Sequence, residues 1–279
     1  PGAPPVPVFM APRAGMQTLT DALARALAQA GVTLRTDAPV AALEPVPGLP
    51  GAPLRLHLRD GETIDADGVI LTTAAAVTAD LIAPHAPDAA QTLRGVPYAS
   101  VVHTALAYAP DDVPELPAGT GFLVPRSERL LMTACTFVDR KWPQRRAIAA
   151  AAPGAAPLAD AVVIKCSAGR IDDARPAQLT DDALVATLHR ELRSIIGLRG
   201  MPRASRVVRV DGGLPQYAPG HPQRIAQLTG EVRAALPALT LAGAAYRGAS
   251  VPLCIRDGRA AADDQLARLS IPADGDTQT

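Results

Sequence analysis

What this sequence has little of narrows its chemistry first. Aromatic residues make up 3% of 279 positions and Trp142 is the only tryptophan, so a core has to be built from closely packed Leu, Val, Ile and Ala. Only Lys141 and Lys165 are lysines, and basic and acidic residues balance at 27 each, with the basic ones scattered. That leaves no electrostatic footprint for a nucleic acid. Cys135, Cys166 and Cys254 are odd in number, far apart and free of CxxC or Cys/His ligand spacing. They point to a reducing compartment and to no structural metal. GxSxG, HExxH and GxGxxG are all absent, which removes the nucleophile elbow, the zinc-protease helix and the usual pyrophosphate-cradling turn. No apolar run has the length to span a bilayer, and no charged segment followed by an apolar core marks a signal peptide. A chain that starts at Pro1 without methionine reads as processed or partial.

What is present is a globular balance, 48% hydrophobic and 19% charged. Residues 1–12 read as a linker, and Leu19, Leu23 and Leu27 then recur at helical spacing, with Thr18 and Asp21 as a start signal and Gly31 as a stop. Residues 32–35 and 40–43 have strand composition. Leu54, Leu56 and Leu58 alternate with Arg55, His57 and Arg59, and Asp60-Gly61 turns that half-exposed strand into a hairpin. The run VILTT at 69–73 reads as a strand covered on both faces.

A cluster of Pro and Gly at 83–97 marks a boundary. Beyond it, GFLVP, LLMTACTF and AVVIKCSAG predict a largely antiparallel sheet; in residues 145–160 the Ala run could form a short helix, but Pro153 and Pro157 favour a surface excursion. A helix is predicted over 180–196, with Leu184, Leu188, Leu192 and Ile195 on one face and Gly197 closing it. Another is predicted near 222–236.

Five histidines are dispersed outside ligand spacing. His221 could contact a ligand or open a helix, and Lys141-Trp142 could wall a pocket or sit in ordinary packing. Cys254, at a predicted helix start, could be a thiolate but is better read as a small apolar residue.

The most informative stretch is 239–262, LTLAGAAYRGASVPLCIRDGRAAA. It predicts a buried parallel strand, a glycine loop in which Gly248 lets backbone approach a ligand, and a helix from Ser250 or Val251 with Ile255, Ala262, Leu266 and Leu269 on one face. The N–H groups at such a helix start suit a phosphate, a carboxylate or the carbonyl edge of a flavin.

That stretch, preceded by LPQYAPGH, resembles the C-terminal signature of the protoporphyrinogen oxidases, FAD enzymes of haem synthesis. FMAPRAGMQTLTDALARAL, GFLVPRSERLLMTACTFVDRKWP and VVIKCSAGR resemble three further family blocks in the same order. The resemblance implies an α/β (α+β) chain: part of an FAD-binding Rossmann-like domain at 1–90 and 206–270, an inserted antiparallel-sheet substrate domain at 91–205, and a disordered tail at 271–279. It implies that Val40 meets the FAD adenine, that Ala249, Ser250 and Val251 lie at the flavin ring, and that Val210 stands where the family has a tryptophan near FAD. Lys165 replaces a more frequent Arg, and Leu253 a frequent Asp. The implied reaction is six-electron oxidation of a porphyrinogen, protoporphyrinogen or coproporphyrinogen, with hydride passing to flavin and oxygen reoxidising it. No nucleic acid is involved. The implied setting is the cytoplasm, with peripheral membrane association left open. The family's GxGxxG lies N-terminal to the part present here, so the chain reads as a C-terminal portion that does not hold FAD tightly alone. Another amine oxidase or desaturase of the same superfamily, or a non-catalytic fragment, remain the alternatives.

Overall fold

The computed structural model describes residues 10–48, 53–151 and 158–269. Most of the expected linker and all of the expected 271–279 tail lie outside the described residues. In chain order the elements are α1 (Gln17–Gln29), β1 (Val40–Pro45), β2 (Leu54–Leu58), β3 (Thr63–Ala66), β4 (Val69–Leu71), α2 (Ala75–Ile82), α3 (Pro87–Arg94) and β5 (Tyr98–Tyr108). There follow β6 (Gly121–Leu123), β7 (Met132–Phe137), α4 (Val138–Lys141), α5 (Arg145–Ala151), β8 (Val162–Ala168), α6 (Arg175–Gln178) and α7 (Asp181–Ile196). The chain closes with β9 (Ala204–Pro215), α8 (His221–Ala235), β10 (Leu239–Leu241) and α9 (Val251–Leu269). They form two compact units, 1–35 with 100–211 and 36–99 with 212–279. Residues 1–35, expected to share a domain with the rest of 1–90, therefore group with 100–211, and α3 groups with 36–99, which moves the first break past residue 91.

The first unit is built on a five-stranded sheet ordered β6-β7-β8-β5-β9. Its β6–β7, β7–β8 and β8–β5 pairs are antiparallel, as the alternating runs predict. Helix α7 seals one apolar cluster because Leu184, Leu188, Leu192 and Ile196 repeat every fourth residue and are buried. Each contributes about 1.5–3 kcal/mol on the usual area scale. The Thr180 Oγ1 accepts the Ala183 N–H at 3.3 Å and Gly197 closes the helix at φ +70°, a left-handed conformation that glycine adopts without penalty. The Glu191 carboxylate accepts the Leu131 and Met132 N–H groups at 2.7 and 2.9 Å, tying this helix to the start of β7.

Several expectations for this unit need correction. Ile195 is exposed and Ile196 takes its place, since it lies four residues beyond Leu192. Helix α1 has Met16 at its cap with no side-chain bond; the Gln17 amide instead donates to Thr20 and Asp21 at 2.9 and 2.8 Å. Residues 32–35 form no strand, because Gly31 and Asp37 both take positive φ on either side of them. The excursion expected at 145–160 begins as α5, whose Arg-Ala composition favours helix as far as Ala151.

The second unit combines the antiparallel meander β1-β2-β3 with a parallel pair, β10 beside β4. The meander has the expected register: Arg55 faces Asp65 across the hairpin, with an ion pair at 2.6 Å on its exposed side. The parallel pair runs Leu239↔Val69 to Leu241↔Leu71. Both strands are buried among Ile82, Leu93, Ile225, Leu228 and Val232 of the surrounding helices, as the continuous apolar runs predict. Helix α9 departs from prediction. Ile255, Leu266 and Leu269 are 48%, 59% and 48% exposed, and the buried positions are Asp257, Ala261 and Gln265. Gln265 explains the inversion: its amide oxygen accepts from the Thr240 hydroxyl at 2.8 Å and its nitrogen donates to Ala238 O at 3.0 Å, joining α9 to β10 through polar groups.

Candidate functional site

Because β4 and β10 are parallel, the loops after both strands open at the same end, where open α/β sheets place their ligands. The Ala242 N–H extends the ladder to Leu71 O at 3.0 Å. The β4 loop then turns into α2: the Ala75 N–H reaches the Tyr98 hydroxyl at 3.0 Å, and the Thr73 and Thr78 hydroxyls bond at 2.8 Å.

The β10 loop is braced from within its own helix. Asp257, in the second turn of α9 and 4% exposed at its side chain, accepts the Gly243 N–H at 2.8 Å and the Arg247 guanidinium at 2.9 Å. One buried carboxylate thus pins both ends of the 243–247 turn, its charge balanced by the arginine. Tyr246 plugs the unit below the loop. Burial raises its phenol to about 12, outweighing its bond to Thr78, so the hydroxyl remains a donor, reaching the Thr78 Oγ1 at 3.3 Å. Tyr217 stacks on His221 with ring centroids 4.4 Å apart and donates to Ala244 O, while His221 donates through Nε2 to Tyr246 O at 3.2 Å. His221 is therefore a buried residue that opens α8 and supports this loop. Tyr217, Pro219, His221, Ile225, Tyr246 and Arg247 line a cavity of about 770 Å³ beside it.

Gly248 has a different reason from the one predicted. A Cβ there would stand 2.4 Å from Leu253 Cδ1 and 2.9 Å from its Cβ, and φ is +141°. The close approach is to the first turn of α9. The Cys254 thiol donates to Gly248 O at 3.4 Å and its N–H to Ser250 O at 2.9 Å, so Cys254 serves packing and helix initiation.

The predicted site residues fall as follows. Ala249, Ser250 and Val251 are contiguous and exposed where the loop becomes α9. Val40 is half-buried at the start of β1 in the same unit, packed against its core. Val210 is exposed on β9 in the other unit. The first-turn N–H groups of a helix lack intrahelical acceptors; here Val251 and Leu253 supply them, and Pro252 has none. Small side chains at 249 and 250, donors ahead and a neutralised carboxylate behind fit an electron-rich ring edge.

Elsewhere, in the first unit, the Lys141 ammonium lies 5.0 Å from the Trp142 ring centroid, and Trp142 lines a smaller cavity of about 270 Å³ with Met16, Val138 and Ile148. Among the described residues no cluster of His, Cys, Asp or Glu could hold a metal, and no helix is long and apolar enough to cross a membrane.

The profile of the family described as flavin containing amine oxidoreductase matches residues 7–266. The chain belongs to this family. Within the flavin-containing amine oxidoreductases, it is 32% identical to coproporphyrinogen III oxidase of Bacillus subtilis (strain 168) over 219 residues, 78% of this chain and 44% of the relative. It is likewise 32% identical to coproporphyrinogen III oxidase of Mycobacterium leprae over 260 residues, covering 91% and 51%. A structure from Exiguobacterium sp. 255-15, provisionally assigned as a protoporphyrinogen oxidase, superposes with a TM-score of 0.75 at 27% identity, covering 91% of this chain and 52% of that one. Cyclohexylamine oxidase of Brevibacterium oxydans shares the fold at a TM-score of 0.67 and 13% identity. The resemblance to protoporphyrinogen oxidases and the mixed α/β fold are thus both shown. The chain spans about half the length of the curated relatives it matches.

Asp257 and Arg247 were not legible as site residues beforehand. The only signal was a charged position, Asp257, inside a helix otherwise assigned by its apolar repeat.

Proposed function

We propose that this chain forms the isoalloxazine-facing part of an FAD site in a porphyrinogen oxidase of haem biosynthesis, with coproporphyrinogen III as substrate and oxygen as final acceptor. The observation that carries the reading is the 243–250 loop, held at the carboxyl end of a parallel strand pair and leading into the N-terminus of α9. The relatives named coproporphyrinogen III oxidase from Bacillus and Mycobacterium support the choice of substrate.

A bound flavin supplies the hydride acceptor for the porphyrinogen carbon. The protein's part is orientation and electrostatics. Ala249, Ser250 and Val251 present backbone N–H groups to the ring edge, and the helix dipole favours electron density there. Asp257 and Arg247 fix the loop so that those donors are set before the ring arrives. Val40 offers backbone to the adenine. Phosphates need groups outside this chain, since it holds no GxGxxG. The proposed setting is the cytoplasm.

The test uses the full protein that carries this chain. A yellow preparation whose bound flavin supports conversion of coproporphyrinogen III to fluorescent porphyrin under oxygen is the expected result. A flavin-loaded preparation that oxidises primary amines and leaves porphyrinogens untouched would sink the assignment.

A further inference from the structure

The sheet of the first unit has two unlike faces. Side chains alternate along a strand, and one set, which includes Leu106 of β5, Cys166 of β8 and Cys135 of β7, packs with α7 into the apolar cluster. The other set is polar or small: His103 and Ala105 of β5, Lys165 and Ser167 of β8, Ala134 and Thr136 of β7, all half-buried and none in that cluster. Lys165 stands at the centre of this second face, on the middle strand, opposite Ala105 on one side and Thr136 on the other. The next rung on the same face pairs His103 with Ser167, whose hydroxyl lies 3.0 Å from the His103 Nδ1.

Nothing among the described residues accounts for this lysine. Lysine is a poor strand residue, and half-burying an ammonium without a counter-ion costs free energy. Among the described residues Lys165 joins no ion pair or hydrogen bond, whereas the comparably buried Arg145, Arg209 and Arg268 all rest on aspartates. Strands β5, β6, β7 and β8 contain no Asp or Glu. Burial, with Lys165 nearby, holds the His103 imidazole below its ordinary 6.5 and so neutral at pH 7. With the Ser167 hydroxyl donating to Nδ1, the His103 Nε2 carries the N–H, and it has no partner among the described residues.

One full positive charge, one neutral N–H donor and the Thr136 hydroxyl match a monoanion with two acceptor oxygens, a carboxylate. A phosphate dianion would require a second cation. Ala105 and Ala134 keep the surface low on either side, so a flat apolar body can lie on the sheet while its acidic arm meets the ammonium. We propose that Lys165, with the His103 Nε2–H oriented by Ser167 and with Thr136 beside it, is the binding subsite for a carboxylate arm of the substrate. The proposal rests on the porphyrinogen reading only for the molecule that carries the arm, there a propionate side chain. Lys165 binds and takes no part in the oxidation, so its loss appears in KM and leaves kcat in place.

The experiment uses the full protein that carries this chain. Fluorescence titration with coproporphyrin III is compared with titration by its tetramethyl ester, which keeps the ring and removes the charges. Lys165→Met should weaken binding of the acid by about tenfold and raise KM for coproporphyrinogen III by a similar factor, as loss of a charge-assisted hydrogen bond does. Ester binding, kcat and the melting temperature should stay as in the wild type; Lys165→Arg should restore most of the acid binding, and Lys141→Met should change nothing. Equal losses for acid and ester, an unchanged KM, or a fall in kcat alone overturns the proposal. A second measurement needs no charge-removing variant: with 13C-labelled lysine, the Lys165 ε-carbon resonance, identified by its absence from Lys165→Arg, should move on titration with 3-phenylpropionate and stay in place with 3-phenylpropionamide. A resonance indifferent to the carboxylate overturns the subsite even where porphyrinogen is oxidised normally. A protein that ignores porphyrinogens while Lys165 still responds to 3-phenylpropionate sinks the porphyrinogen reading and upholds the subsite.

Discussion

Helices α7 and α9 are of similar length, yet they meet their surroundings in opposite ways. In α7 the apolar repeat Leu184-Leu188-Leu192-Ile196 lies in the core, a threonine caps the start and a glycine ends it. In α9 the apolar repeat faces outward and the helix is fixed to its sheet by Gln265 and to its preceding loop by Asp257. The first arrangement stabilises a unit by burying apolar area. The second positions a loop with directional bonds, and leaves apolar surface available to something else. Directional bonds set the orientation of Gly243 and Arg247 far more narrowly than apolar contact would, which suits the role proposed for this loop.

The largest expected contrast comes from truncating the two repeats. Leu188→Ala should destabilise the first unit by about 2–5 kcal/mol in urea unfolding, since the side chain is fully buried. Next is the polar brace. Asp257→Ala leaves the Gly243 N–H and the Arg247 guanidinium without their acceptor and should cost about 1–3 kcal/mol by thermal melting. Asp257→Asn keeps an acceptor for the Gly243 N–H and should recover part of that; full recovery would show that the arginine pair adds nothing. Gly248→Ala sets a methyl against Leu253 and adds backbone strain, so a loss of about 1–3 kcal/mol is expected. A double-mutant cycle with Leu253→Ala should return the steric share and leave the strain; strict additivity would place the clash elsewhere.

A smaller effect concerns protons on α7. His189 is buried against Tyr108, its Nδ1 lies 3.1 Å from the phenol oxygen, and its Nε2 has no partner among the described residues. Burial, with Arg193 nearby, holds the imidazole below its ordinary value of 6.5. The unfolded chain therefore takes up this proton first as pH falls. Stability is retained above pH 6.5 and lost below it until the folded pKa is passed, by at most about 1.4 kcal/mol per pH unit. His189→Gln should flatten the melting temperature between pH 6.5 and 5, and His103, also lowered by burial and by Lys165, leaves a residual slope. An unchanged slope would remove His189 as its source. The smallest effect is the counterpart of the first: Ile255→Ala in α9 should change stability by less than about 0.5 kcal/mol.

Much of the scaffold was legible residue by residue. Asp60-Gly61 between alternating runs specified its hairpin, Thr180 and Gly197 specified both ends of α7, and VILTT and LTL read as buried strands. Those features depend on neighbours a few residues away, where local sterics and period-2 or period-3.6 patterns decide the outcome. The candidate site was legible only as a location. Ala249, Ser250 and Val251 could be placed at a helix start, but that Asp257 braces Gly243 and Arg247 depends on how far a loop folds back over its own helix. Sequence spacing does not encode that distance. Gly248 shows the same limit: the need for glycine was plain, and the atom that imposes it, Leu253 Cδ1, emerged only in three dimensions.

By itself, then, the sequence determined the β2–β3 hairpin, helix α7, the buried strand runs, the glycine loop and the family motifs, because each is written in residues adjacent along the chain or one turn apart. Only the tertiary structure decided that residues 1–35 group with 100–211, that α9 turns its polar face inward, and that one aspartate locks the loop. Which face of an amphipathic segment is buried depends on the partners that reach it, and for α9 the buried partners are the Thr240 hydroxyl, the Ala238 carbonyl and the Gly243 amide.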